Sequence, residues 1–315
     1  MKRPEEDRLL GKILKGLPSP ADLILGPGDD CAAVRTEGGV LLLKTDCIAE
    51  GIHFLRSHDP VRVGWKALCR PLSDIAAMGG EPRHALVTIF SPPDLDPGYW
   101  VKFYRGLRMA ARKFGVSLAG GEMSRQLHGI AVSVALTGVA PGGRFVCRSG
   151  GQAGDLLFVT GQLGGSISGH HLDFVPRLKE GRWLAETACA KAMMDLSDGL
   201  GSDLPRLARA SGCGFAVDLA GLPVREGTAP TGALTDGEDY ELLFAIRPRK
   251  AAALIKNWRV AFPRTRLSCI GKLTAKKSAP PGWPGGWDHF SVVSPPPVGQ
   301  RAGGPAGNRC GQRDQ

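Results

Sequence analysis

The chain has 315 residues, room for two domains of ordinary size, and its 43% hydrophobic and 22% charged content excludes a disordered or fibrous protein and suits a globular one. Its longest apolar runs, such as 40–43 and 130–139, fall well short of the ~18 residues that span a bilayer, and the mixed-charge opening MKRPEEDRLL does not read as a leader, so a cytoplasmic protein is expected. The net charge of +10 and pI near 9.4 could suit nucleic acid, but the basic residues are scattered, and Arg105, Arg108 and Arg112 form a helical stripe without interleaved aromatics that reads as a solvated face.

In chain order, strand-type runs alternate with helical stretches. VLLLKTD (40–46) precedes a long helical stretch over 61–78, which Pro71 is expected to kink or divide. ALVTIF (85–90) precedes a second helix over 98–114, and IAVSVALTGV (130–139) follows. DLLFVT (155–160), FAVDL (215–219) and ELLFAI (241–246) continue the pattern, which makes the chain a mixed α/β (α+β) protein. The glycine-dense segment 138–155 reads as a boundary between domains at 1–140 and 150–292, and the Pro/Gly-rich stretch 293–315 reads as a disordered tail. The eight cysteines include no C-x-x-C pair, so neither a zinc site nor a disulfide framework is expected.

Acidic residues recur beside glycines and small residues where the expected elements end: Asp29 and Asp30 in GPGDDC, Asp46 in KTD, Asp74 in PLSDIAAMGG, Glu122 in AGGEMSR, Asp195 and Asp198 in MMDLSDGLGSDL, and Asp236, Glu238 and Asp239 in TDGEDYE. Any one of them has an ordinary reading as a turn residue or helix cap, and Ser197–Asp198 looks like a helix start. Together, in a basic chain, they argue for a cluster. Clustered carboxylates raise one another's pKa unless a cation sits among them, and hard oxygen ligands suit Mg²⁺. Mg²⁺ held by carboxylates most often serves phosphate chemistry, so a polyphosphate such as ATP is the expected substrate. The chain contains neither a G-x-x-x-x-G-K-[ST] loop nor the protein-kinase motif set, and GPGDDC lacks the third glycine of a dinucleotide fingerprint.

The motifs GPGDDCAAV, TDCIAEGIHF, GWKALCRPLSDIAAMGGEP, GGEMSR, MMDLSDGLGSDLPRLARASGCG and ALTDGEDYELLF, in this order over residues 20–290, resemble those of the thiamine-monophosphate kinase family. That family belongs to the superfamily of aminoimidazole ribonucleotide synthetase. The first motifs are shared in part across the superfamily, whereas EGIHF, LSDIAAMGG and GEDYELLF in combination favour the thiamine enzymes. The resemblance implies a two-domain aminoimidazole ribonucleotide synthetase-like fold and a homodimer, with an N-terminal sheet that pairs with its twin and an α/β C-terminal half. ATP and several Mg²⁺ ions would lie between the halves. It implies Asp30, Thr45, Asp46, Asp74, Glu122, Asp195 and Asp198 as metal ligands, Gly121, Glu122, Arg148 and Ser197 as ATP contacts, and His53, Glu238 and Trp287 as contacts to thiamine monophosphate. Asp29 would be a turn residue. No protein nucleophile or general base is expected, because the accepting phosphate oxygen is already ionised.

The chain departs from the family in three places. Glu122 stands where the family motif GGDTTR has Asp, with Met123 replacing a hydroxyl residue. Lys44 occupies a position usually held by Ser, which puts a cation beside the metal cluster unless it points away. The stretch 160–192 is short for the family. Two alternatives stay open: another ATP-dependent superfamily enzyme with a different acceptor, and a non-catalytic relative associated with nucleic acid. Selenophosphate synthetase is disfavoured, since no reactive Cys or glycine-rich segment precedes GPGDD.

Overall fold

Two sheets organise the chain, and the burial along their strands shows that they are covered differently. The computed structural model describes residues 5–276 and 279–287; the expected tail at 293–315 lies outside them. After helix α1 (Glu5–Ile13), the first sheet contains β1 (Leu23–Leu25), β2 (Ala32–Thr36), β3 (Gly39–Ala49), β4 (Glu81–Ser91), β5 (Ser117–Arg125) and β6 (Ala131–Ala140), in the order β1-β2-β3-β6-β4-β5. Only β4 and β5 run parallel, and the helix α3 (Pro97–Phe114) between them supplies the crossover that parallel neighbours require. Helix α2 (Pro60–Ala77) links β3 to β4.

Helices α2 and α3 cover one face of this sheet, where Ile48, Val87, Ile89, Val132, Val134 and Leu136 are buried against them. Two glycines bring the helices together. A Cβ at Gly64 would lie 1.9 Å from the Phe103 carbonyl oxygen, and one at Gly106 1.7 Å from that of Val61. The other face carries Leu43, Leu86 and Phe90, all exposed. Helix α2 starts at Pro60 behind an Asp59 cap and continues through Pro71, so the proline does not divide it. Pro71 lies in a run of residues buried from Leu68 to Ala77 except Arg70, and the burial of that turn offsets the ~3 kcal/mol that an internal proline costs.

The second sheet takes β7 (Leu156–Thr160), β8 (Ala190–Asp195), β9 (Gly214–Val217), β10 (Leu242–Ile246) and β11 (Leu267–Thr274) in the antiparallel order β8-β10-β7-β11-β9. Helices α4 (Leu178–Glu186), α5 (Leu200–Ala210), α6 (Gly232–Thr235) and α7 (Ala251–Ala261) accompany it. Interior strand β10 is buried at every residue. Its Leu243 and Ala245 pack with Leu200, Leu204 and Leu207 of α5, while Leu242, Phe244 and Ile246 pack with Leu184 of α4 and with Leu254 and Trp258 of α7. Period-two alternation thus divides one strand between two cores. The chain passes from the first sheet to the second between β6 and β7. The end of α2 reaches across to the second, since Ala76 and Ala77 join the α4–α7 core and a Cβ at Gly181 would meet the Ala76 carbonyl oxygen at 2.0 Å. One helix therefore ties both halves together along the seam where the acidic motifs meet.

Candidate active site

Asp30 follows β1, Asp74 lies in the last turn of α2, and Asp195 ends β8. They are distant in sequence, yet one carboxylate oxygen of each lies within 4.8 Å of those of the other two, and the residues are only 2%, 6% and 3% exposed. The tight turn before them explains the paired aspartates. Asp29 turns back and accepts the backbone N–H groups of Asp30 at 3.0 Å and of Arg148 at 3.0 and 3.1 Å. Asp30 points inward, where its Oδ1 accepts from Arg148 Nε at 3.1 Å and Nη2 at 2.6 Å. Burial and the neighbouring Asp30 push the Asp29 carboxyl up to about 6.

The cluster is short of positive charge. Ser73 Oγ donates to Asp195 Oδ2 at 2.6 Å, and Lys44 Nζ donates to Asp74 Oδ1 at 2.7 Å. Burial, then Asp30, push Asp195 up to about 6 against these contacts. Burial also drives Asp74 well above the usual carboxylate range, although Lys44 pulls it down. Lys44 is raised as well: burial disfavours its charge, but Asp74 and Asp46 outweigh that and hold it above the usual lysine range. Asp30 Oδ2 is buried without a hydrogen-bond partner among the described residues. An orphaned carboxylate oxygen among hard oxygen donors is what a small divalent cation would satisfy, so the residues present fit Mg²⁺.

A second charged cluster lies on the same seam. Lys66 of α2 is fully buried and donates to the His53 carbonyl at 2.6 Å and to Glu238 at 2.6 and 2.7 Å, and His171 Nδ1 lies 2.9 Å from its ammonium and 3.0 Å from Glu238 Oε2. Burial lowers the Lys66 ammonium to about 8, with Glu238 opposing the fall. Burial would raise Glu238, but Lys66 and His171 outweigh it and hold the carboxyl well below the usual range. Glu238 and Tyr240 have φ of 54° and 51°, and Gly237 has 70°. This left-handed run persists because the Glu238 and Tyr240 N–H groups donate to Ser197 and Leu196 at 2.7 and 2.8 Å, while Asp239 accepts from Gly164 N–H and Ser166 Oγ.

These bonds bring Glu238 to Ser197. Trp287 joins them, its N–H donating to the Asp198 carbonyl at 2.8 Å, and the Asp198 carboxylate pairs with Arg206. Helix α5 begins at Leu200 without a side-chain cap from Asp198; instead the buried Asp203 accepts the Asp198 N–H at 3.0 Å. Asp46 pairs with Arg70 at 3.3 Å. The His53 ring accepts the Ala49 N–H at 3.0 Å and is largely buried. Gly121 faces Val87, whose carbonyl oxygen would lie 1.9 Å from a Cβ there.

Thr45 and Glu122 sit elsewhere. Register pairs Thr45 with Ala135, which pairs in turn with Leu86, and Glu122 with Thr88, which pairs in turn with Ser133, on the bare face; Lys44 and Asp46 stand on the helix-covered face opposite Leu136 and Val134. Both Thr45 and Glu122 are exposed. The sequence reading did not single out Lys66, Arg70, Ser73 or His171. For Lys66 the signal was available, since a lysine between Trp65, Ala67 and Leu68 in a helix otherwise apolar there needs a buried partner.

A buried oxygen cluster with an unpartnered carboxylate oxygen, held between two sheet-and-helix halves, is a site that would suit a divalent cation. Residues 28–140 match the AIR synthase related protein N-terminal domain and residues 152–279 the corresponding C-terminal domain. The chain is 35% identical over 271 residues to a thiamine-monophosphate kinase of Rhodopirellula baltica, covering 80% of this chain and 84% of that one. It is 35% identical over 289 residues to that of Aquifex aeolicus, covering 81% and 91%. A solved structure described as AaThiL complexed with AMPPCP and TMP superposes with a TM-score of 0.77 at 31% identity, covering 91% of this chain and 97% of that one. The chain belongs to the AIR synthase related family and, within it, to the thiamine-monophosphate kinases. No helix among the described residues is long and apolar enough to cross a membrane.

Proposed function

We propose that this protein phosphorylates thiamine monophosphate to thiamine diphosphate, transferring the γ-phosphoryl group of ATP directly to the phosphate of the acceptor. The observation that carries the reading is the buried Asp30–Asp74–Asp195 cluster with its unpartnered oxygen, in a chain whose relatives bear this name. Asp30, Asp74 and Asp195 would hold Mg²⁺, with Asp46 and Asp198 at its margin. Bound there, the metal supplies charge neutralisation for phosphate oxygens. Arg148 already bridges two acidic residues and would turn its remaining donors to ATP, with Gly121 and Ser197 offering close backbone approach. His53, Glu238 and Trp287 would orient the acceptor. An ionised phosphate oxygen needs no base, so the chain's residues bind, align and exclude water; none serves as nucleophile.

Thr45 and Glu122 would act from the bare face. Its exposed Leu43, Leu86 and Phe90 support a homodimer paired through this sheet, with both residues at the pairing surface; a monomer in sedimentation equilibrium would refute that pairing. The test of function is incubation with ATP, Mg²⁺ and thiamine monophosphate. ADP and thiamine diphosphate are expected in equal amounts, and ATP turnover indifferent to thiamine monophosphate would favour another acceptor within the family.

A further inference from the structure

Lys44 introduces a permanent positive charge at the carboxylate cluster. Strand β3 alternates, so Lys44 and Asp46 project to the same, helix-covered face, and Lys44 Nζ reaches Asp74 Oδ1 at 2.7 Å. The contact is sheltered, with the lysine side chain 21% and the aspartate side chain 8% exposed. The other cations nearby are engaged elsewhere: Arg148 holds Asp30, and Arg70 pairs with Asp46. Asp74 therefore has the lysine ammonium as its counter-charge, while the open oxygen of the cluster belongs to Asp30.

An ammonium and a small divalent ion compete for the same carboxylate. Each is drawn to the oxygen lone pairs, and they repel each other at close range in a medium where charges are weakly screened. The ammonium is tethered and so pays no entropy of capture from solution. We propose that Lys44 is a built-in cation that takes the place of one divalent ion against Asp74, so that this chain binds one divalent ion fewer than it would with a neutral side chain at position 44. The inference rests on the metal-binding reading above. Lys44 also offsets carboxylate repulsion in the metal-free protein, leaving Asp30 and Asp195 as the open side of the cluster.

Direct counting of bound Mn²⁺ by electron paramagnetic resonance, on the full-length chain without nucleotide, tests this. Lys44→Met and Lys44→Ser should each bind one Mn²⁺ more per chain than the wild type, and Lys44→Arg should match the wild type. The two neutral variants should also melt at lower temperature than the wild type in chelator and recover that loss on adding Mn²⁺. An equal count of bound ions in the wild type and in both neutral variants would overturn the role of Lys44 while leaving the metal site intact. Failure of every variant and the wild type to bind Mn²⁺ would overturn the metal reading and this inference with it.

Discussion

The seam between the two halves buries two charged clusters, and they are balanced differently. At one, Lys66 meets Glu238 directly, and each donor of the ammonium has an acceptor. At the other, among the described residues, Asp30 and Asp74 have Arg148 and Lys44 as their cations, and Asp30 Oδ2 has no hydrogen-bond partner. The first arrangement is balanced in charge as folded, although His171 Nε2 is buried there without a hydrogen-bond partner among the described residues. It joins the helix that carries Asp74 to the left-handed loop that carries Glu238. The second is incomplete by about one cation, and its cost in the metal-free protein is the preorganisation that lets it capture one.

The largest effect that would break this comparison comes from neutralising one member of each cluster. Asp195→Asn should lower phosphoryl transfer by about 100-fold or more, on the scale of losing an electrostatic contact to the transition state. Ser73 can still donate to the amide oxygen, and one repelling charge is gone, so melting in chelator should not fall. Lys66→Met should do the reverse to stability, because it strands the Glu238 carboxylate without its counter-charge, a loss of ~3–5 kcal/mol. Calorimetric melting of both variants in chelator checks the contrast; equal destabilisation by the two would erase it.

A smaller effect sharpens the comparison through pH. Asp29 and Asp195 titrate at about 6 in the folded chain against a normal 3.8, so the folded state keeps protons that the unfolded state has released. In chelator these groups therefore add stability as pH falls from 7 toward 5, and lose it as pH rises through 6. Lys66, lowered to about 8 from 10.5, has the opposite slope: the penalty on its charge is constant below 8 and is relieved as pH rises through 8. Glu238 stays ionised throughout this range. Mg²⁺ requires ionised carboxylates, so saturating Mg²⁺ should flatten or reverse the gain between pH 7 and 5. Thermal melts across this range, with and without Mg²⁺, read the slope; a metal-free slope of the opposite sign in Asp195→Asn relative to wild type is not expected, only a shallower one.

The smallest effect concerns Glu122, which is exposed on the bare face and outside the buried trio. Glu122→Asp should weaken apparent Mg²⁺ affinity in ATP turnover, and Glu122→Gln should weaken it further by removing the charge, both less than Asp195→Asn does. Curves unchanged in both variants would remove Glu122 from the ligand set.

Strand and helix positions were legible where the pattern was strong. The run 241–246 appears as Leu242–Ile246 and the stretch 98–114 as Pro97–Phe114, because apolar runs and periodicity report burial directly. Strands β1, β2, β5, β8 and β11 were missed. In β5, SLAGGEMSR has exposed residues at nearly every position, and an edge strand of glycine and polar residues carries little alternation. Pro71 misled in the other direction, since local propensity argues for a break that tertiary burial overrides.

Residue types and their order determined which chemistry this protein can host: oxygen ligands beside glycines, in a sequence of motifs that names a family and its class of substrate. Only the tertiary structure decided how those residues divide. Asp46 and Thr45 are neighbours in the chain, yet the two-residue period of β3 sends them to opposite faces of the sheet. Asp30, Asp74 and Asp195 come from a turn, a helix and a strand end, and meet because α2 crosses the seam. Lys66, one lysine among the 40 basic residues, holds Glu238 for the same reason. Charge type is a property of the side chain alone, whereas which charges share a low-dielectric pocket depends on packing between segments that lie from 30 to 172 residues apart in the chain.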